Sequence, residues 1–259
     1  MKSIGIDIGT TTVCIVLVNL PDGMLVQAIT LSNDSFLPTA HPWERIQNPA
    51  VILARVFPAL EEILAAHSDI AAIGLTGQMH GIIYLDEGGL AVSPLYTWQD
   101  GRGNLSDYEN GKSVCGFLDE AYGVKLATGY GLATHLYHLK KGFVPTEAVS
   151  LCTIADYVGM VLTGRNMPLL HISQAASLGL YDCKANEFMW KVVKECGISP
   201  DFLPAVAKDI VPLGTFRGIP VCVSIGQLPG FRRGGQGLRI GEYRDWLPDF
   251  GAFPCAFPG

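Results

Sequence analysis

Two β-branched runs lie close together near the N terminus, Ile4-Gly5-Ile6 and Val13 to Val18, joined by Asp7-Ile8-Gly9-Thr10-Thr11-Thr12. So short a link with a glycine in it folds the two runs back on each other as paired strands. Pro21-Asp22-Gly23 makes a second turn, and Leu25 to Leu31 reads as a third strand. The first turn also carries chemistry. Gly9 lets backbone N–H groups point at an anion, and Thr10, Thr11 and Thr12 add hydroxyl donors. Asp7 sits at the strand end, where a carboxylate can hold Mg2+ or its water shell. This is not the Walker pattern, which needs Gly-Lys-Ser/Thr. A plain hairpin turn with solvated threonines remains the alternative.

Farther along, Pro49 to Ala66 has apolar residues at helical spacing: Ile52, Val56, Leu60 and Ile63-Leu64. Ile70 to Leu75 and Ile82 to Leu85 read as short strands. The strand–helix–strand order predicts an α/β fold with a mixed sheet and flanking helices. Helices are expected over Leu132 to Lys141, Ile154 to Leu162 and Glu187 to Cys196, and a last strand over Val221 to Ile225.

Two further polar clusters stand out. Thr76-Gly77-Gln78-Met79-His80-Gly81 follows an apolar strand, the usual ligand position in open α/β sheets. Gln78 and His80 can exchange hydrogen bonds with sugar hydroxyls, or His80 can be a satisfied histidine at a strand exit. In Thr97-Trp98-Gln99-Asp100-Gly101-Arg102 an indole can stack on a sugar while Asp100 and Arg102 bind hydroxyls from the edge. The rival is an internal Asp100–Arg102 ion pair beside a core tryptophan. His135 and His138 lie three apart with no third ligand placed, so packing is the better reading.

Hydrophobic residues make up 49% and charged residues 16% of the 259 residues, as in a well-buried globular domain. The formal net charge of -6 argues against a general nucleic-acid surface. No apolar run reaches the roughly 18 residues of a membrane span, and Asp7 and Gly9 interrupt the start too early for a signal peptide. The seven cysteines, Cys14, Cys115, Cys152, Cys183, Cys196, Cys222 and Cys255, show no zinc spacing and are expected as buried thiols in a reducing compartment, the cytoplasm.

Six segments in order resemble the FGGY carbohydrate kinases: Gly5 to Thr12, Gly77 to Gly81, Trp98 to Arg102, Ala127-Thr128-Gly129-Tyr130-Gly131, Ile154 to Val158 and His171 to Ser177. The resemblance covers about residues 3–226. It implies the N-terminal, sugar-binding domain of an actin-like (ribonuclease H-like) ATPase fold, residues 1–226, in a two-domain enzyme with ATP and Mg2+ as cofactors. It also implies phosphorylation of a small-molecule ketose, sedoheptulose before xylulose. By the same resemblance Asp7 would place Mg2+ and the transferring phosphate. Gly9, Thr10, Thr11 and Thr12 would lie by the phosphates. Gln78, Met79, His80, Trp98, Asp100 and Arg102 would line the sugar site. A non-catalytic sugar-binding module is the alternative.

The pattern breaks after Gly226. The family has Asp-Asn-x-Gln-Ala there, its aspartate the expected general base; this chain has Gln227-Leu228-Pro229. Gln227 to Phe231 can be encoded CAA CTG CCA GGC TTC, which one base later reads Asn-Cys-Gln-Ala-Ser. Glu242 to Pro248, encoded GAA TAT CGG GAC TGG CTC CCA G, reads Asn-Ile-Gly-Thr-Gly-Ser-Gln at the same offset. The first resembles the segment after the family's catalytic aspartate, the second its other phosphate loop. Residues 227–259 are therefore expected to be an out-of-frame tail, with the ATP-binding domain missing and the polypeptide as written inactive. Arg232-Arg233 in that stretch carries no argument for a phosphate site.

Overall fold

The computed structural model describes residues 1–226; the tail expected to be out of frame lies outside the described residues. β1 (Lys2–Ile8) and β2 (Thr12–Asn19) form the expected hairpin, with Ile8 opposite Val13, Ile6 opposite Ile15 and Ile4 opposite Leu17. These six side chains are at most 1% exposed. Alternation at period two puts all of them on one face of the sheet. β3 (Leu25–Ser32) pairs antiparallel with β2.

β4 (Ile46–Gln47) leads into α1 (Pro49–Ala66). The helix starts where it does because the Asn48 side chain accepts from Ala50 N, with proline at the first helical position. Its stripe of Ile52, Val56, Leu60 and Ile63 is completely buried, and the helix packs along β2 and β3. β5 (Ile70–Gly77) then enters the sheet parallel to β1, with Asp7 beside Thr76 and Ile8 beside Gly77.

The rest of the chain builds around this frame. β6 (Ile83–Leu85) and β7 (Leu95–Tyr96) precede the helices α2 (Val114–Tyr122) and α3 (Gly131–Lys141). β8 (Ser150–Cys152) pairs with β6 and runs into α4 (Ile154–Thr163). Next come β9 (Leu169–His171), α5 (Ile172–Leu178), the hairpin of β10 (Tyr181–Asp182) and β11 (Glu187–Phe188), α6 (Trp190–Glu195) and β12 (Ala205–Ala207). β13 (Pro212–Phe216) and β14 (Ile219–Cys222) complete a six-stranded mixed sheet in the order β13-β14-β5-β1-β2-β3. β5 is parallel to both β1 and β14, and α4 packs along β5, β13 and β14.

Several expectations change in detail. The helix expected over Glu187 to Cys196 is only Trp190–Glu195, because Glu187 and Phe188 pair in a hairpin that sets Phe188 edge-on against Tyr181. The last strand begins earlier, at Ile219, and ends at Cys222. Among the described cysteines Cys152 is fully buried, and Cys14, Cys115, Cys196 and Cys222 are half-buried thiols; Cys183 departs from the expectation of a free thiol, being disulfide-bonded. No helix among the described residues is long and apolar enough to cross a membrane.

The β1–β5 register leaves no room for a side chain at Gly77, where a Cβ would stand 2.7 Å from Ile8 O. Gly77→Ala is expected to lower the urea midpoint by an amount worth about 1–3 kcal/mol; an unchanged midpoint would mean that the strand ends separate freely.

Candidate functional site

Three chain segments reach the same end of the sheet. β1 finishes in the Gly9–Thr12 turn, β5 in Gln78–Gly81, and Val223–Gly226 prolongs β14 alongside β5, with Ile225 N donating to Leu75 O at 2.9 Å. Gln78 N donates to Ile8 O at 2.8 Å, so the parallel pairing carries on past both strands. A site at the C-terminal ends of parallel strands follows from this topology.

The turn is held by its own backbone. Gly9 N donates to Thr12 O at 2.9 Å, and a Cβ on Gly9 would lie 2.9 Å from that oxygen. Asn33 Nδ2 donates to Gly9 O at 2.7 Å from β3's side. Thr10 is where the clusters meet. Its hydroxyl accepts from Trp98 Nε1 at 3.0 Å and donates to Gln78 Oε1 at 3.4 Å. Gln47 Nε2 donates to Thr10 O at 2.9 Å, and Gln47 Oε1 accepts from Gln78 Nε2 at 2.8 Å. The turn, the Gln78 loop and the Trp98 loop are thus one hydrogen-bonded unit. Asp7 is half-buried at the end of β1, between Cys14 and Thr76 on the neighbouring strands.

His80 occupies left-handed backbone at φ 73°, an uncommon state for a non-glycine residue. Ser177 at the end of α5 secures it: its hydroxyl accepts from His80 N at 3.3 Å and its carbonyl from His80 Nδ1 at 2.7 Å. A carbonyl only accepts, so Nδ1 carries the proton. Burial lowers the His80 pKa against the opposing pull of Ser177, which favours the neutral ring with an unprotonated Nε2. The Tyr130 ring lies 4.3 Å away, centroid to centroid.

Trp98 is 47% exposed, so it is not a core tryptophan. Behind it, Asp100 and Arg102 form the internal pair that the sequence left as one of two readings. They are 0% and 4% exposed. Asp100 Oδ1 accepts from Arg102 Nε at 2.6 Å and Arg102 N at 3.1 Å; Oδ2 accepts from Arg102 Nη2 at 3.0 Å and Arg45 N at 3.0 Å. The carboxylate is saturated, and the guanidinium also lies 4.4 Å from the Tyr96 ring centroid. The glycine-rich stretch 127–131 explains itself here. A Cβ on Gly129 would fall 1.6 Å from Trp98 O, and one on Gly131 would fall 2.8 Å from His80 O.

The third Arg102 nitrogen, Nη1, donates to His138 Nε2. His138 Nδ1 and His135 Nδ1 both meet Tyr84 Oη, at 3.0 and 2.9 Å. These histidines are packing elements, as expected. Burial lowers His135 to about 4, and burial with the Arg102 charge lowers His138 to about 2. Below Gly226 another buried network appears. Ser173 Oγ accepts from Gly226 N at 2.8 Å, Thr76 Oγ1 donates to Ile225 O at 2.8 Å, and Ser224 Oγ donates to Asp156 Oδ1 at 2.5 Å. Burial raises Asp156 to about 6 despite the Ser224 and Thr153 hydrogen bonds. A Cβ on Gly226 would come 2.7 Å from Met79 Cε, so the chain leaves this segment beside Met79.

Sequence reasoning missed Gln47 and gave no role to Ser177, Tyr130 or Gly129. Gln47 sits in a two-residue strand with no glycine or motif around it, so nothing local marks it. Among the described residues no three His, Cys, Asp or Glu side chains could together hold a metal. Mg2+ commonly needs only one or two protein carboxylates, with phosphates and waters filling the remainder, and Asp7 beside the Gly9–Thr12 turn fits that donor set.

Residues 3–216 match the N-terminal domain of the FGGY family of carbohydrate kinases, and the chain belongs to that family. It is 31% identical over 234 residues to sedoheptulokinase of Mus musculus, covering 80% of this chain and 47% of the relative. Sedoheptulokinase of Homo sapiens is 30% identical over 239 residues with the same coverage. The fold matches the ligand-bound xylulose kinase of Lactobacillus acidophilus with a TM-score of 0.73, at 21% identity, over 87% of this chain and 48% of that one. The chain spans about half the length of the curated relatives it matches.

Three outcomes are expected. Gly129→Ala should displace the Trp98 loop and shift Trp98 fluorescence; an unshifted spectrum in the folded variant would show that the loop has slack. Asp100→Asn should cost about 3–5 kcal/mol in urea unfolding, because it leaves the buried guanidinium unpaired; a loss under about 1 kcal/mol would mean that the pair is not desolvated. The third outcome concerns pH. Neutral His135 and His138, with lowered pKa values, stabilise the fold above about pH 6.5, and that stability is lost as pH falls towards about 4 and about 2. Asp156 works oppositely, its contribution being lost as pH rises through about 6. Two histidines outweigh one aspartate, so the urea midpoint should fall from pH 7 to pH 5; a rise would show that Asp156 governs.

Proposed function

We propose that this chain is the sugar-binding half of an ATP-dependent ketose kinase, with sedoheptulose as substrate and sedoheptulose 7-phosphate as product. The observation that carries the reading is the direct hydrogen bonding of the Gly9–Thr12 turn to Gln78 and Trp98. A phosphoryl group at that turn and a sugar against those side chains would be neighbours, and phosphoryl transfer depends on such positioning.

In this reading the Gly9–Thr12 turn takes the phosphates of ATP. Asp7 holds Mg2+ through its carboxylate or water shell, and the ion would neutralise charge on the transferring group. The exposed indole of Trp98 stacks on the carbon face of the sugar. Gln78 and Met79 line its edge, and His80 accepts a sugar hydroxyl at Nε2. Asp100 and Arg102 act on the sugar through Trp98, as the rigid bed under its loop. Use of ATP and a small-molecule sugar fits a cytoplasmic enzyme.

The sedoheptulokinase relatives support the choice of sugar, and xylulose is the second candidate. Gly226 leaves its strand beside Met79, the position where a general base would face the sugar hydroxyl. The residue that follows is Gln227, which cannot take a proton as a carboxylate would. We attribute this to an out-of-frame tail over residues 227–259. The polypeptide as written then binds the ketose without phosphorylating it, which is how a non-catalytic sugar-binding module would behave.

The test is an ATP-consumption assay of the frame-restored protein with sedoheptulose and xylulose side by side, the polypeptide as written serving as control. Turnover at least about tenfold higher in kcat/KM for sedoheptulose, an energy difference of about 1.4 kcal/mol, is expected, with none in the control. Faster xylulose turnover would change the sugar. Turnover by the control would remove the tail argument. No turnover by either would leave the sugar-binding module.

A further inference from the structure

The five polar groups around Thr10 admit only one arrangement of protons. The Thr10 carbonyl can only accept, so the Gln47 atom 2.9 Å from it must be the amide nitrogen. Gln47 then turns its oxygen to Gln78, which must answer with its own nitrogen at 2.8 Å. That turns Gln78 Oε1 towards the Thr10 hydroxyl at 3.4 Å. From the other end, the Trp98 indole nitrogen can only donate, so the Thr10 hydroxyl accepts from it and sends its own proton on to Gln78. Both ends dictate the same direction. Gln47 supplies the acceptor that holds the Gln78 amide nitrogen, while the Trp98–Thr10 bonds hold its oxygen from the other side.

Gln47 itself is completely buried and Gln78 is 7% exposed. A buried amide turned the wrong way would set oxygen against oxygen at Thr10 or nitrogen against nitrogen at Gln78, and unsatisfied buried groups are costly. Gln47 is carried on β4, which pairs with β7 just before the Trp98 loop, with Gln47 opposite Leu95. It therefore senses the phosphate turn, the sugar loop and the tryptophan loop together.

We propose that Gln47 is a positioning residue for phosphoryl transfer: it fixes the amide of Gln78 with Oε1 towards Thr10, so that the site offers a sugar hydroxyl an acceptor, and it ties that choice to the geometry of the phosphate turn. This rests on the ketose kinase reading for its kinetic consequence, though not for the amide orientation.

Two measurements test it, one independent of activity. In the 259-residue chain, labelled with 15N-glutamine, the Gln78 side-chain amide, identified by its disappearance in Gln78→Met, should exchange with solvent at least about tenfold more slowly than surface glutamines. Gln47→Met should abolish that protection. Trp98→Phe, which leaves the Gln47 acceptor facing Gln78, should retain it. Protection that survives Gln47→Met, or is lost equally in both variants, overturns the proposal. In the frame-restored protein, Gln47→Met should raise the sugar KM about tenfold, the worth of one lost hydrogen bond, and should add nothing further in a Gln78→Met background. Independent, multiplying effects overturn it, as does an unchanged KM in folded Gln47→Met protein, since a purely structural role would lower stability and leave KM alone. If the frame-restored parent turns over no ketose, the kinase reading falls and the exchange measurement alone decides the role of Gln47.

Discussion

The parallel pairing of β1 with β5 is the constraint on which the rest depends. It sets Ile8 beside Gly77 and continues beyond the strands through Gln78 N to Ile8 O. Because neighbouring strands stand about 4.8 Å apart, two loops that leave adjacent strands at the same level must share a site. Gly77 is the residue that permits this, since any side chain there would meet the Ile8 carbonyl. The third segment, Val223–Gly226, reaches the same end because Ile225 bonds to Leu75 on the opposite edge of β5.

Above that frame, the loops are held by close backbone approach and by saturated polar groups rather than by apolar packing. Trp98 can remain 47% exposed and still be fixed, because its carbonyl rests against Gly129 and its indole is bonded to Thr10. The Asp100 carboxylate beneath it accepts four hydrogen bonds. A buried ion pair of this kind adds little net stability over an apolar substitute but is costly to break on one side. It therefore defines one loop conformation, which is what a stacking surface requires.

The polar chain runs deeper. Arg102 can only donate, so His138 Nε2 must accept, and His138 carries its proton on Nδ1. That proton goes to Tyr84 Oη, which passes its own to His135 Nδ1. The guanidinium thus assigns both histidine tautomers, and with burial it keeps His138 neutral down to about pH 2. Two histidines three residues apart on a helix look like metal ligands in a sequence; here each has its Nδ1 committed to the same tyrosine hydroxyl.

The sequence by itself determined the strand hairpin with its glycine turn, the bounds of α1 at Pro49 and Ala66, and the segments that compose the site. Each is a local matter of β-branched alternation, helical spacing, an asparagine cap or a glycine that the backbone demands. It also shows Gln227 where the family resemblance implies a carboxylate. Tertiary structure alone decided the rest. α5 escaped notice because it is short and its buried side mixes Ser173, Gln174 and Ser177 with only Ala175 and Leu178, so no apolar stripe marks it. Glu187 and Phe188 became a strand because a partner at Tyr181–Asp182 was at hand. Whether Asp100 and Arg102 faced a ligand or each other depended on His138 and Arg45, which lie 36 and 55 residues away in sequence. Gln47 was invisible for the same reason: a lone amide acquires direction only from the carbonyl and the amide that the fold brings to its two ends.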